Sequence, residues 1–323
     1  MTPVPLLGWD TPRHTWLAER RQGLGASDVA AALGLSHWET PWEIWASKTG
    51  RLVTPDLSPS PAAQLGTDLE PWLLAQAPKL IGMPVDRTPH MLYSHPAVGW
   101  RLCSPDAFAA DGGLVEAKTA ALLSVWTRID DWLDGGVPLG YELQCRWQMH
   151  IMGRPRVYLV ALVAGLGLIF RVVERDLVVE ADLVSQASEW WQHHVLEGNE
   201  PPVGRADVEV IHRVYVNPDP AATADLSQSD ALEWCRTYLT AHEQAAAADA
   251  VKEEYGARLK ALLGDRCTGI WDGRKIVTWN PKRGKVDWER MARDLAAQAG
   301  VDLPDPETYR GTGGRTLSVK KIT

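Results

Sequence analysis

The chain has 323 residues, a formal net charge of −8, 16 tryptophans and four cysteines. That length exceeds the usual single-domain size and predicts one large core plus an appendage. Cys103, Cys145, Cys235 and Cys267 are far apart with no C-x-x-C pair, which argues against a zinc site or an iron–sulfur cluster and suits a reducing compartment.

In chain order, the start MTPVPLLGWD lacks a basic region followed by a long apolar stretch, and no run reaches membrane-spanning length, so a cytoplasmic protein is expected. Ser27 is placed to cap a helix over 28–33 that stops at Gly34, which would turn free backbone N–H groups toward Arg20 or Arg21. Thr40-Pro41-Trp42-Glu43 is a capping box with proline at the first helical position, and that helix runs to Gly50. Trp38, Trp42 and Trp45 fall at helical spacing and, with most of the tryptophans, are assigned to the core. Residues 52–64 are rich in proline and serine and read as a loop before a helix carrying Glu70.

Leu102–Ala109 and Leu114–Thr119 read as strands of a hairpin turning at Asp111-Gly112-Gly113. A two-residue loop would set Asp106 opposite Ala117 or Thr119, close to Glu116 and Lys118. Strand alternation puts Leu114, Glu116 and Lys118 on one face, with Val115 and Ala117 on the other. Two carboxylates with a lysine beside them suit a hard cation such as Mg2+. On spacing alone, an exposed hairpin with ordinary surface charges is the commoner meaning of such a pattern.

Farther on, 190–198 reads as a closing helix. A strand-like piece, 208–216, lies between two proline-rich breaks, 199–202 and 217–220. The domain reading is 1–205 for the main domain and 206–323 for an accessory domain. The latter holds a helical segment (229–263) capped by Gly264, a β-hairpin (269–280) turning at Asp272-Gly273, and a basic tail. His150 and the His193-His194 pair read as ordinary helix-surface residues.

Ser104-Pro105-Asp106, nine residues, then Glu116-Ala117-Lys118 resembles the (P)D…(D/E)-x-K signature of a nuclease superfamily. Within it the chain is similar to the phage lambda exonuclease and YqaJ-type viral recombinase family, and further segments fit in order. Arg20 to Asp28 resembles the opening basic-residue and G-x-G-x-S-D motif, and Gly66 to Pro71 the G-x-x-x-E-P helix. Tyr141-Glu142-Leu143-Gln144, through Met149 and Gly153, resembles the glutamine helix, which is followed by a strand, here 156–163. The likeness covers roughly 13–200.

The resemblance implies an α/β (α+β) fold: a restriction-endonuclease-like core with a central mixed β-sheet flanked by helices, plus a smaller C-terminal helical and hairpin region. It implies that Asp106, Glu116 and the Ala117 carbonyl bind Mg2+, with Mn2+ able to substitute, and that Glu70 supports the ion directly or through water. Lys118 and Gln144 would position the attacking water, while Arg20, Ser27 and Ser104 would grip a 5′-phosphate. The activity implied is a 5′-to-3′ exonuclease on linear double-stranded DNA, leaving 3′ single strands. Its partners would be duplex DNA ends and a single-strand annealing protein; the assembly would be a homotrimer, and the setting a phage or prophage in a bacterial host. Two other readings stay open: an endonuclease or structure-specific nuclease with the same core, and a non-catalytic DNA-end adaptor. The chain departs from the family in lacking a second phosphate-binding arginine after the E-x-K strand, where Leu122 to Val125 stand.

Charge is distributed unevenly. Residues 1–205 hold 16 Lys+Arg against 23 Asp+Glu, and 206–273 hold 6 against 12, whereas 274–323 hold 11 against 6. A DNA-binding track is therefore expected at the C-terminal end rather than over the whole surface.

Overall fold

In the computed structural model the residues described are 2–52, 61–120, 129–216, 219–309 and 317–319. They divide into two units, Met1–Tyr215 and Val216–Thr323. In the first, β1 (Val4–Leu7), α1 (Arg13–Arg21), β2 (Leu24–Gly25), α2 (Val29–Ala32), α3 (Pro41–Lys48) and α4 (Pro61–Ile81) lead into β3 (Val85–Arg87), β4 (Leu92–His95), β5 (Val98–Cys103), β6 (Ala107–Ala109) and β7 (Leu114–Ala120). Then come α5 (Leu139–Met152), β8 (Arg156–Val163), β9 (Gly167–Glu174), α6 (Leu177–Trp190) and α7 (Val208–Val214).

Two sheets result, with strand orders β1-β4-β5-β2 and β3-β6-β7-β8-β9. The second is mixed, because β7 and β8 run parallel while its other neighbours are antiparallel. β8, RVYLVALV, is apolar on both faces, as a central strand covered by helices must be. β7 alternates as expected. Leu114 joins the cluster under α5 and α6 with Cys145, Met149 and Val157, whereas Val115 packs with Leu73 and Ala77 of α4. The sheet is thus sandwiched between α4 and α5/α6, the mixed α/β core that the sequence predicts.

Several elements differ from expectation. The run Leu102–Ala109 is not one strand: Ser104-Pro105-Asp106 is the corner where the chain leaves the first sheet for the second. Pro105 has no N–H to offer a ladder, so a sheet change there is cheap. The hairpin loop has three residues, because Ala107 pairs with Val115 and Phe108 with Leu114. Asp111 Oδ1 accepts the Gly113 N–H at 2.9 Å and Gly112 takes φ +87°, fixing the turn. α4 starts at Pro61, so 61–64 are helical, while 53–60 of the predicted loop lie outside the described residues. The valine-rich 208–216 piece is helical from Val208 to Val214, since Val210 is buried and Ile211 and Val214 pack on the core. Tertiary burial overrides β-propensity there. Trp42 and Trp45 are core residues, but Trp38 is 60% exposed.

The second unit contains α8 (Ala231–Leu263), the hairpin β10 (Thr268–Trp271) and β11 (Arg274–Thr278), and α9 (Trp288–Ala299). Asp272 and Gly273, at φ +47° and +72°, form the expected two-residue turn. Residues 310–316 and 320–323 of the basic tail lie outside the described residues. No described helix is long and apolar enough to cross a membrane.

Candidate active site

The register that pairs Ala107 with Val115 continues to set Asp106 across from Glu116 rather than from Ala117 or Thr119. Asp106 Oδ2 accepts the Ala117 N–H at 2.8 Å. β6 begins only at Ala107, so the edge of β7 beyond it is open to that side chain. In an extended strand a residue's N–H and C=O leave on the same side, which directs the Ala117 carbonyl to the same edge.

Glu116 is 2% exposed and receives three donors. Gln144 Nε2 gives to Oε1 at 2.6 Å, Gln148 Nε2 to Oε2 at 2.7 Å, and the Lys118 ammonium lies 2.6 Å from Oε1. Gln144 and Gln148 are one turn apart on α5, which packs over the face of β7 bearing Glu116. Sequence reasoning singled out Gln144; the matching role of Gln148 is visible only once α5 is laid on the sheet.

Electrostatics tie Glu70 into the same site. Burial raises the Asp106 pKa well above the ordinary carboxylate value, and the charges of Glu116 and Glu70 add to this against Lys118. Burial likewise raises Glu70, opposed by Arg87, whose guanidinium is 3.6 Å away. For Lys118, burial opposes the charge, but Glu116 and Asp106 outweigh it and raise the pKa. The site is acidic overall and short of positive charge, a deficit that a divalent cation would relieve. Among the described residues no three Asp, Glu, His or Cys side chains converge as a complete metal cage. Two carboxylates and a main-chain oxygen, with water and phosphate completing the shell, still fit Mg2+, which keeps several waters.

Arg20, Ser27 and Ser104 come together with Gln144 and Gln148 around a cavity of about 60 Å3. Arg20 Nη2 donates to Ser27 Oγ at 2.7 Å and to Asp28 Oδ1 at 2.6 Å, with the guanidinium over the Trp16 ring. Ser27 does not cap a helix as predicted. Asp28 stands at the N-cap of a four-residue helix, and Ser27 Oγ donates to Asp28 Oδ1 at 3.1 Å. Asp28 also binds buried Lys48 at 2.7 Å and the Gly25 N–H at 3.1 Å. Burial works against the Asp28 charge, but Arg20 and Lys48 hold its pKa far below the usual range. Lys48 had no signal in the sequence, lying 20 residues away on another helix. Residues 122–125, where the second arginine is missing, lie outside the described residues.

His150 is not a plain surface residue. Its Nδ1 is 3.0 Å from Glu180 Oε1, its Nε2 3.0 Å from Arg101 Nη1, and its ring stacks on His95. An Nε2 facing a guanidinium must accept, so the ring is neutral and ties β5 to α6. This network is structural and lies outside the carboxylate site.

The match to known proteins falls on this region. Residues 15–155 match the sequence profile of the YqaJ-like viral recombinase domain, a span that contains every residue of the carboxylate site and of the small cavity. Over 286 residues the chain is 28% identical to the "Uncharacterized protein YqaJ" of Bacillus subtilis (strain 168), covering 86% of this chain and 87% of that one. Among solved structures it is similar to the alkaline exonuclease LHK-Exo of Laribacter hongkongensis, with 25% identity and a TM-score of 0.47 over 57% of this chain and 93% of that chain. The dAMP complex of LHK-Exo gives the same identity and score over 62% and 96%.

Proposed function

We propose that the YqaJ-like domain is a Mg2+-dependent deoxyribonuclease acting from the 5′ end of linear duplex DNA. The observation that carries this is the meeting of Asp106, Glu116, Lys118 and Gln144, with Arg20, Ser27 and Ser104 on a cavity bordered by the same Gln144. Asp106, Glu116 and the Ala117 carbonyl would hold Mg2+, with Glu70 supporting it, and Mn2+ has the same oxygen preference. When bound, the ion would supply positive charge to the scissile phosphate and make water a stronger nucleophile. Gln144 and Lys118, both anchored on Glu116, orient that water and neutralise charge growing on the phosphate oxygens. Arg20 and Ser27 offer donors to a terminal phosphate, and Lys48 balances Asp28 so that its carboxylate does not repel one. The product, a duplex with a 3′ single strand, suits an annealing protein as its next partner. A homotrimer enclosing the duplex would keep the enzyme on its substrate.

The test is Mg2+-dependent digestion of three substrates: 5′-phosphorylated linear duplex, its 5′-hydroxyl counterpart and covalently closed circles. The expected order is phosphorylated, then hydroxyl, with circles resistant. Rapid cutting of circles would replace the exonuclease by an endonuclease, and equal rates on the two linear substrates would remove the phosphate role from Arg20, Ser27 and Ser104.

A further inference from the structure

The second unit holds 16 Lys+Arg against 16 Asp+Glu, but one segment of it is strongly basic. Residues 258–285 hold eight lysines and arginines and two acids, in a protein of net charge −8. Arg258 pairs with Glu254, but among the described residues none of the other seven lies within ion-pair distance of a carboxylate. Three of those seven, Lys260, Arg266 and Lys282, line a groove of about 700 Å3 that also includes Trp279, Asn280 and Asp265. Asp265 is the one acid on its walls. The volume lies in the ~300–1,000 Å3 range of small-ligand pockets.

The groove is built around an available aromatic face. Trp279 is 48% exposed, and Lys260 Nζ lies 5.9 Å from its ring centroid. Its backbone N–H donates to the Cys267 carbonyl at 2.9 Å, which fixes the base of the indole against the turn that leaves α8. Unpaired lysines and arginines around a half-exposed indole form a stacking platform with phosphate counter-charges. A duplex keeps its base faces stacked on each other, whereas a single strand offers them to an aromatic side chain.

We propose that this groove binds single-stranded DNA, with one base stacked on Trp279 and the adjoining phosphates held by Lys260, Arg266 and Lys282. The inference rests on the proposed nuclease only for the origin of the strand, since digestion of one strand at a duplex end exposes the other. The groove shares no residue with the carboxylate site. It gives the C-terminal unit a function of its own: holding the strand that survives digestion.

The experiment uses the full chain carrying Lys118→Ala, kept in chelator so that nothing is hydrolysed. Binding of fluorescein-labelled oligo(dT) and of a blunt duplex is followed by anisotropy across a salt series. Trp279→Ala is expected to weaken oligo(dT) binding roughly 5- to 150-fold, the value of one stacked base, with little effect on the duplex. Trp279→Phe, which keeps a stacking face, restores most of the affinity. Trp271→Ala, on the exposed hairpin outside the groove, leaves it nearly unchanged. Lys260→Gln with Lys282→Gln makes the slope of log affinity against log salt shallower by about 1.4, two contacts at ~0.7 each. Unchanged affinity in Trp279→Ala would overturn the site. So would equal losses on single strand and duplex, or a Phe variant no better than Ala. Wild-type protein without nuclease activity would leave these binding results standing, so failure of the two readings can be told apart.

Discussion

Gln148→Leu separates catalytic geometry from stability at this site. Gln148 is fully buried and donates at 2.7 Å to Glu116 Oε2, while its own Oε1 has no hydrogen-bond partner. Removing the amide takes one donor from a buried carboxylate, a loss of about 1.5–3 kcal/mol for a charged partner. The same change removes an unpartnered buried acceptor, whose desolvation costs about 1–3 kcal/mol. The two largely offset each other, so the net change in stability is expected within about 2 kcal/mol, under ~8 °C in Tm for a unit of this size. Catalysis has no such compensation. Glu116 keeps Gln144 and Lys118 on Oε1 but loses the restraint on Oε2, and loss of a group that orients a ligand typically lowers activity about 10–100-fold. A thermal melt and an Mg2+-dependent digestion of linear duplex on the same preparation read both quantities. Full activity in a folded variant, or a melting loss equivalent to more than about 3 kcal/mol with activity retained, would refute the reasoning and make Gln148 a packing residue only.

Lys118→Ala is expected to lower hydrolysis at least ~100-fold while duplex binding in chelator changes little, because a helper of the transition state goes and the carboxylates stay; near-normal turnover would remove its assigned role. For the metal-free protein, burial raises both Asp106 and Glu70, so the folded state retains protons that the unfolded state releases near pH ~4. Their contribution to stability is fully present below that pH and fades as pH rises through the raised folded values. Mg2+ displaces those protons, so the Tm increase on adding Mg2+ should grow from mildly acidic to alkaline pH, and an increment independent of pH would contradict the ligand set. Asp28→Asn leaves the Lys48 ammonium, whose side chain is 5% exposed, with the Arg20 carbonyl at 3.0 Å but no carboxylate. About 3–5 kcal/mol of unfolding free energy should be lost by denaturant titration, and part of it should return when Lys48→Met is added; a loss below ~1 kcal/mol would mean that the pair is not holding the start of α2 to α3.

What could be read in the sequence follows from local physics. The alternation over Leu114–Ala120 placed Glu116 and Lys118 on one face, whereas the strand Arg156–Val163 came with the order of motifs and its central place only with the sheet. The hairpin register escaped because Asp111 uses its side chain to hold Gly113, making a three-residue loop that spacing alone does not distinguish from two. The helix Val208–Val214 was misread for a different reason: its valines look like a strand until the core that buries Val210 is known. The pairing of Asp28 with Lys48 joins segments 20 residues apart, and the Arg101–His150–Glu180 network spans three elements, so no local pattern announces either. The order of motifs carried Ser27, Glu70 and Gln144, but Gln148 became meaningful only with α5 placed over β7.

The most direct measurement is single-turnover hydrolysis of 5′-phosphorylated linear duplex by the wild-type chain, Asp106→Asn and Glu116→Gln, each with Mg2+ and with chelator. Asp106 accepts the Ala117 N–H at the open edge of β7, and Glu116 takes three donors on the face of the same strand. The account predicts digestion by the wild-type chain in Mg2+ alone and loss of at least ~100-fold in each folded variant. Wild-type digestion unaffected by chelator, or either variant cutting at the wild-type rate, would contradict it.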